Sequence, residues 1–410
     1  MNLFGTQKKV SVDEEKIQAL LTRGVEDIFV KESLLQKLKS GKQLRVKFGI
    51  DPTGKTIHIG RAVPLWKLRK FQELGHVAVL IVGDFTAQIG DASDKTEKRP
   101  MLSMEQVREN LKQYKKIIGK IIDLNKAEFV FNGRWLNKLT FKDACTLAES
   151  FSVQQMSNRR NFKERFERGE EVSLREFLYP LMQGYDSVAV RADVEIGGFD
   201  QLFNVKAGRV IQKHYQQPEQ DVLTVAMLEG TDGRKMSTSW GNVINITDEP
   251  NDMFGKVMTV RDELIGKYFL LTTDTSLLEI ERMENEMREG KNPKEVKEVL
   301  AEKIVMLYHG EAAARAARAA FGRTFSDKQI PESVPEVSVA SGTILRDVLV
   351  AEKIVSSKSD FQRLVEQGAI SILNEADGGH KEKITDPAFV VEKETVFKIG
   401  ARRFIKIKIR

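Results

Sequence analysis

LRVKFGIDPTGKTIHIGR, residues 44–61, passes from a strand through a turn into a helix. Leu44–Asp51 alternates apolar and other residues as a strand does, and Pro52 and Gly54 mark the turn. Beyond it, Ala62, Leu65, Trp66, Leu68 and Phe71 form a wide helical stripe that stops at Gly75. His76–Phe85 (HVAVLIVGDF) is then almost continuously apolar, the mark of a strand covered on both faces. Ala127–Asn132 and Ser187–Gly197 read as further strands, and VLTVAML (222–228) as another. Strand–helix alternation of this kind predicts an α/β fold with a doubly wound parallel sheet.

The stretch from about 133 to 168 interrupts the alternation and reads as a helical insertion, with Thr140 and Asp143 at a helix start. The sheet domain is expected over 1–245. Strands vanish from about 249 onward, so 246–323 is expected to be a helical domain. TFSDKQIPESVPEVSVAS (324–341) reads as a linker, and 342–410 as a small α+β module.

Composition narrows the classes. The chain has 410 residues with 41% hydrophobic and 30% charged side chains, ordinary for a soluble globular protein. Cys145 is the only cysteine, so no intramolecular disulfide can form, and a reducing cytoplasmic setting is expected. One Cys and five scattered His argue against a structural zinc site, and no metal ligands are predicted. The longest clean apolar run, Val77–Val82, is far too short to span a bilayer, and no signal peptide is expected. The net charge of +6 is mild, but the last thirteen residues, KIGARRFIKIKIR, hold six basic residues and no acidic one. A polyanionic partner or a solvated strand face would each account for them.

Three constellations carry chemistry. The turn Asp51–Arg61 stands between a strand and a helix N-terminus, where amide donors and the positive end of the dipole favour an anion. Thr53, His58 and Arg61 add donors, and Gly60 permits close approach. The loop GRKMSTS (233–239) is basic and rich in hydroxyls, with Lys235 as a mobile charge. Ser173 and Glu176 form a capping box. On the helix that follows, Tyr179, Gln183 and Asp186 fall on one face among apolar neighbours, and Pro180 is expected to kink it.

HIGR at 58–61, followed about 170 residues later by KMSTS at 235–239, resembles the HIGH and KMSKS signatures of class I aminoacyl-tRNA synthetases. Tyr-x-x-x-Gln-x-x-Asp at 179–186 resembles the substrate signature of bacterial-type tyrosyl-tRNA synthetases. GIDPTGKTIHIGR, VGDFTAQIGDAS, YPLMQGYDSV and EIGGFDQLFN occur in that family's order. SSKSDFQRLVEQGAISIL and KIGARRFIKIKI resemble its S4-like RNA-binding domain.

The resemblance implies a Rossmann-like catalytic domain that joins L-tyrosine to ATP, then passes the tyrosyl group to tRNA(Tyr). It implies that Asp186 meets the substrate phenol, while Tyr179, Gln183, Asp91 and Gln201 surround the amino acid. Asp51, Gly60, Gly198, Asp200, Gln201 and Met236 are expected at the nucleotide. Thr53, His58, Arg61, Lys235 and Thr238 are expected at the phosphates, with Lys95 and Arg99 on a mobile loop that closes over them. Arg402, Arg403, Lys406 and Lys408 are expected on tRNA. Mg²⁺ is expected to accompany the phosphates, held by them rather than by a protein cage. A homodimer paired through 133–168 is implied, and no membrane partner.

Three departures stand out. Arg61 replaces the second His of HIGH, and Thr238 the second Lys of KMSKS. Lys47 stands where many relatives carry a substrate-facing Tyr; it could donate to the phenol or pair with Asp186. Two other readings stay open: a tryptophanyl-tRNA synthetase, and a catalytically silent, synthetase-like RNA-binding protein.

Overall fold

The computed structural model describes residues 10–91, 101–325, 334–352, 354–373, 381–400 and 403–410. Two units result: Met1–Asp248 with Thr259–Leu300, and Glu249–Met258 with Ala301–Arg410.

The first unit is built on a six-stranded sheet. Its strands are β1 (Val25–Phe29), β2 (Arg45–Ile50), β3 (Val77–Val82), β4 (Ala127–Phe131), β5 (Val194–Gly198) and β6 (Asp221–Val225), in the order β1-β6-β5-β2-β3-β4. All neighbours run parallel except β1, which pairs antiparallel with β6 at the edge. β3 and β6 are buried almost end to end, so helices cover both of their faces, as their unbroken apolar runs require. Chain order reverses between β2 and β5. Crevices outside the carboxyl ends of strands at such a switch point are where doubly wound sheets bind ligands.

Ser187–Gly197 is not one strand. The helix Leu174–Val190 continues through Ser187–Val190, ends at Arg191 in the left-handed region (φ 50°), and β5 starts only at Val194. Val188 packs there with Leu181 and Ile211, so tertiary burial holds it in the helix against its own β preference. Gly184 lets this helix close on Leu202–His214: a Cβ there would lie 2.9 Å from Ile211 and 3.1 Å from the Ala207 carbonyl oxygen. Residues 133–168 hold four short helices: Gly133–Leu136, Phe141–Ala148, Val153–Ser157 and Arg160–Glu167.

Residues 246–323 are divided between the units. The helix Ile265–Thr272 sits in the first, where Arg23 gathers carbonyls at its end and just past it, donating to Phe269 (3.2 Å), Leu270 (3.1 Å), Thr273 (2.7 Å) and Thr275 (2.6 Å). Such capping across 250 residues leaves no local pattern.

The second unit carries a five-stranded sheet. Its order is Lys381–Lys383, Ile370–Leu373, Thr395–Ile399, Arg403–Ile409 and Glu336–Val339. With the helices Leu345–Ala351 and Lys358–Glu366 it encloses its own core, including Leu349, Phe361, Ile370, Phe397 and Ile405. The end of the stretch read as a linker is therefore a strand: Glu336–Val339 pairs parallel with the basic terminal strand, and Val337 and Val339 pack on the core.

Candidate active site

His58 caps the helix Ile59–Glu73 from extended backbone, its ring Nδ1 accepting from the Arg61 amide at 3.3 Å. A ring nitrogen that accepts carries no proton, so the proton sits on Nε2. Burial, with Arg61 and Lys235 nearby, pushes the imidazole pKa down to about 3. His58 is thus a neutral donor at any physiological pH. Gly60 keeps the space beside it open: a Cβ would come 3.1 Å from Nδ1 and 3.3 Å from the Met236 sulfur. Not all the helix-start amides remain for a ligand, because Ile59 donates to the Ile244 carbonyl at 2.9 Å. Arg61 reaches back across the turn, both terminal nitrogens lying 3.2 Å from the Thr53 hydroxyl. Asn110 pins the same turn from outside by donating to the Pro52 carbonyl at 2.8 Å.

The basic loop faces this turn. Glu229 and Lys235 form an antiparallel bridge that makes the loop a small hairpin. Asn242, 4% exposed, is its staple. Its Oδ1 accepts from the Ser237 amide (2.8 Å), and its Nδ2 donates to the Lys235 carbonyl (3.1 Å) and the Asp232 carboxylate (2.8 Å). Asn242 and Arg234 hold Asp232 down at about 2, so it stays ionised. Lys235 projects into the cavity, with Nζ 3.5 Å from Asp200. Thr238, expected beside it at the phosphates, is exposed and does not line the cavity, because the chain turns into the short helix Thr238–Trp240.

The polar face of Leu174–Val190 closes the other side. Tyr179 donates to Asp51 at 2.8 Å, and Thr86 donates to the other Asp51 oxygen at 2.7 Å. Asp186 is 4% exposed and accepts from the Trp135 indole at 2.7 Å and the Asn132 amide at 3.3 Å. Burial raises its pKa to about 7; Lys47, Trp135 and Asn132 oppose that rise, and Glu195 adds to it. Asp91 accepts from Gln201 at 2.7 Å and from Asn204 at 3.2 Å.

One cavity at the carboxyl ends of β2 and β5 collects most of the expected residues. Asp51, Thr53, His58, Gly60, Arg61, Gly198, Asp200, Gln201, Lys235 and Met236 line it from the nucleotide side of the reading. Asp91, Tyr179, Gln183 and Asp186 line it from the amino-acid side. Lys47 is not among the lining residues. It is fully buried and directs its ammonium to the Gln183 carbonyl (2.8 Å), the Ser187 hydroxyl (2.7 Å) and Glu195 (3.0 Å). It pairs with Glu195, not Asp186. Lys95, Arg99 and Arg402 lie outside the described residues.

In the second unit, Arg403, Lys406 and Lys408 lie on the terminal strand. Each has an internal partner: the Ile354 carbonyl, Glu394 at 2.7 Å and Glu336 at 2.5 Å.

Residue patterns missed Asn132, Trp135, Asn204 and Thr86. Asn132 caps the short helix that carries Trp135, while Thr86 and Asn204 come from two other helices, inside the quoted stretches VGDFTAQIGDAS and EIGGFDQLFN. Among the described residues no group of three or more His, Cys, Asp or Glu is placed to hold a metal ion, and no helix is long and apolar enough to cross a membrane.

Residues 39–326 match the family model described as tRNA synthetases class I (W and Y). The chain is 46% identical to a tyrosine–tRNA ligase of Thermotoga maritima, covering 96% of this chain and 97% of that one. It is 45% identical to one of Carboxydothermus hydrogenoformans, covering 97% and 98%. In fold it is similar to a C-terminally truncated mitochondrial tyrosyl-tRNA synthetase of Aspergillus nidulans (TM-score 0.63, 21% identity, 76% of this chain and 95% of that one). It is also similar in fold to a tyrosyl-tRNA synthetase of Archaeoglobus fulgidus solved with L-tyrosine (TM-score 0.60, 22% identity, 75% and 100%). A matching model over more than half the chain, and relatives this similar over nearly all of it, place the chain in the tyrosine–tRNA ligase family of the class I tRNA synthetases.

Proposed function

We propose that this chain activates L-tyrosine with ATP and then esterifies the 3′ end of tRNA(Tyr). The observation that carries this reading is the buried Asp186 carboxylate lining the same cavity as His58 and Lys235. One part of that cavity suits a phenol, the other a polyphosphate.

In the first step the tyrosine carboxylate attacks the α-phosphorus in line, and the bond to pyrophosphate breaks. No side chain needs to become a nucleophile; positioning and charge stabilisation suffice. The neutral His58 offers its Nε2 proton to a phosphate oxygen without bringing a charge of its own. Arg61 and Lys235 supply the positive charge, and the Thr53 hydroxyl orients Arg61. Asp200 must exchange Lys235 for the ribose when the nucleotide enters, which frees the ammonium for the leaving pyrophosphate. In the second step a terminal ribose hydroxyl attacks the acyl carbon and AMP leaves. Mg²⁺ is proposed to arrive on the ATP phosphates. Asp186 distinguishes tyrosine from phenylalanine because its buried carboxylate, held in place by Trp135 and Asn132, gains a further donor only from a ring hydroxyl. The tyrosyl enzymes are themselves the standard case of discrimination by a hydroxyl.

The protein is proposed to work as a homodimer paired through the helical insertion. Phe141 (86% exposed), Val153 (73%) and Leu174 (73%), on or next to it, are large apolar side chains left facing solvent, which supports this surface. The terminal basic strand is proposed to meet tRNA phosphates.

Exchange of labelled pyrophosphate into ATP tests the activity. Tyrosine-dependent exchange is expected. Exchange with tryptophan alone, or none with either amino acid, would overturn the reading.

A further inference from the structure

Behind the amino-acid face lies a polar cluster that the mechanism above does not use. Lys47 on β2 and Glu195 on β5 are 0% and 1% exposed and 3.0 Å apart. Glu195 gathers four donors: Lys47, the Gln183 side-chain amide (3.1 Å), the Ser187 hydroxyl (3.2 Å) and Gln220. The three Lys47 protons are also spoken for, by Glu195, the Gln183 carbonyl and the Ser187 hydroxyl. The pair therefore grips the helix Leu174–Val190 at Gln183 and Ser187, and Asp186 stands between those two points.

A buried pair of charges is rarely worth its desolvation for stability alone, and apolar residues of similar volume often do as well. Its geometry points elsewhere. An ionised carboxylate only accepts, so the Gln183 amide can meet Glu195 only through its nitrogen. That leaves the amide oxygen for the cavity, which Gln183 lines.

We propose that Lys47 and Glu195 are positioning residues for amino-acid recognition. They lock the Gln183 carboxamide with its nitrogen inward and its oxygen toward the cavity, so that the site presents an acceptor to the substrate ammonium. Without them the amide could turn and offer an N–H to a cation. The proposal rests on the tyrosine-activating reading and gives its amine subsite a mechanism.

The charged and polar groups facing Asp186 are Lys47 and Glu195 from the sheet, Trp135 and Asn132 from the insertion side, and Tyr179 on its own helix. Glu195 also bears on the Asp186 carboxyl through space, which gives a second readout.

The test uses the full-length protein in tyrosine-dependent pyrophosphate exchange. If the wild type does not exchange, the functional reading fails and the proposal with it; if it exchanges, the variants judge the proposal alone. The double variant Lys47→Met/Glu195→Leu removes both charges together, and it is expected to fold. Its KM for tyrosine should rise about tenfold, the cost of one misdirected hydrogen bond, with its KM for ATP unchanged within about twofold. Glu195→Gln, which keeps an oxygen for Lys47 and Gln183, should restore tyrosine KM to within about threefold of wild type. It should also move the Asp186 ionisation in the pH profile of tyrosine KM downward, because a neighbouring negative charge is gone. A double variant with wild-type tyrosine KM overturns the proposal, as does one whose two KM values rise together. If that double variant does not fold, Lys47→Leu/Glu195→Met, a second pair without charge, is read by the same split, and a tyrosine KM that is unchanged, or that rises together with the KM for ATP, overturns the proposal.

Discussion

Asp186 holds its proton unusually high, and this ties recognition to stability at a single residue. In the folded chain its carboxyl titrates near 7, while unfolded it titrates near 3.8. Between those values the folded state binds the extra proton. Its contribution to stability is therefore complete at low pH and is lost as pH rises through 7. At about 1.4 kcal/mol per pH unit, the ceiling is about 4 kcal/mol. Asp186→Asn lacks the titration. The melting temperature of wild type should fall relative to Asp186→Asn between about pH 4 and pH 7, and parallel curves across that range would contradict the assigned burial. Asp186→Ala should slow tyrosine activation by on the order of 100-fold or more, read as kcat/KM; near-normal activation would remove Asp186 from the site. His58 behaves oppositely. With its imidazole neutral above about pH 3, it adds no inflection to activity profiles in the physiological range.

At the scale of elements, the two signature segments are held by different means. The strand-to-helix turn is fixed by the sheet, by the His58 cap and by Asn110 from the neighbouring helix. The loop carrying Lys235 has little regular structure, and Asn242 bonds it at Asp232, Lys235 and Ser237. Asn242→Ala should therefore lower kcat and raise KM for ATP by about tenfold while tyrosine binding, followed by equilibrium dialysis, stays as in wild type. Equal losses for both substrates would mean that Asn242 supports the fold at large and not the loop. The capping box at Ser173 and Glu176 was legible because it is local, with both reciprocal bonds formed. The end of the same helix was not. Ser-Val-Ala-Val at 187–190 suits a strand as well as a helix, and only packing against Ile211 and the grip of Lys47 on Ser187 decide for helix.

For the whole molecule, the second unit's sheet has a core of its own, drawn from residues 345–407. Removing residues 334–410 should leave tyrosine-dependent pyrophosphate exchange within about threefold of wild type, since a separate core can be deleted without opening a cavity in the first unit. Charging of tRNA should fall by far more. Exchange lost in parallel with charging would show the module to be part of the catalytic fold. The exposed apolar side chains of the insertion make a second expectation: Phe141→Asp should shift the protein from dimer to monomer in sedimentation velocity, because a charge would be buried unpaired in the proposed interface. An unchanged sedimentation coefficient would place the dimer contact elsewhere.

The sequence by itself determined the parallel sheet, the two signature segments and the face bearing Tyr179, Gln183 and Asp186. These rest on periodicity, turn chemistry and short spacings, which act within one or two turns of chain. Tertiary structure alone decided what stands around them. It sent Lys47 behind the cavity to Glu195, gave Asp186 the donors Trp135 and Asn132, turned Thr238 out to solvent and divided the helices after residue 248 between two units. The physical reason is range. A buried charge must find its partner wherever the fold brings one near, and no spacing along the chain records where that will be.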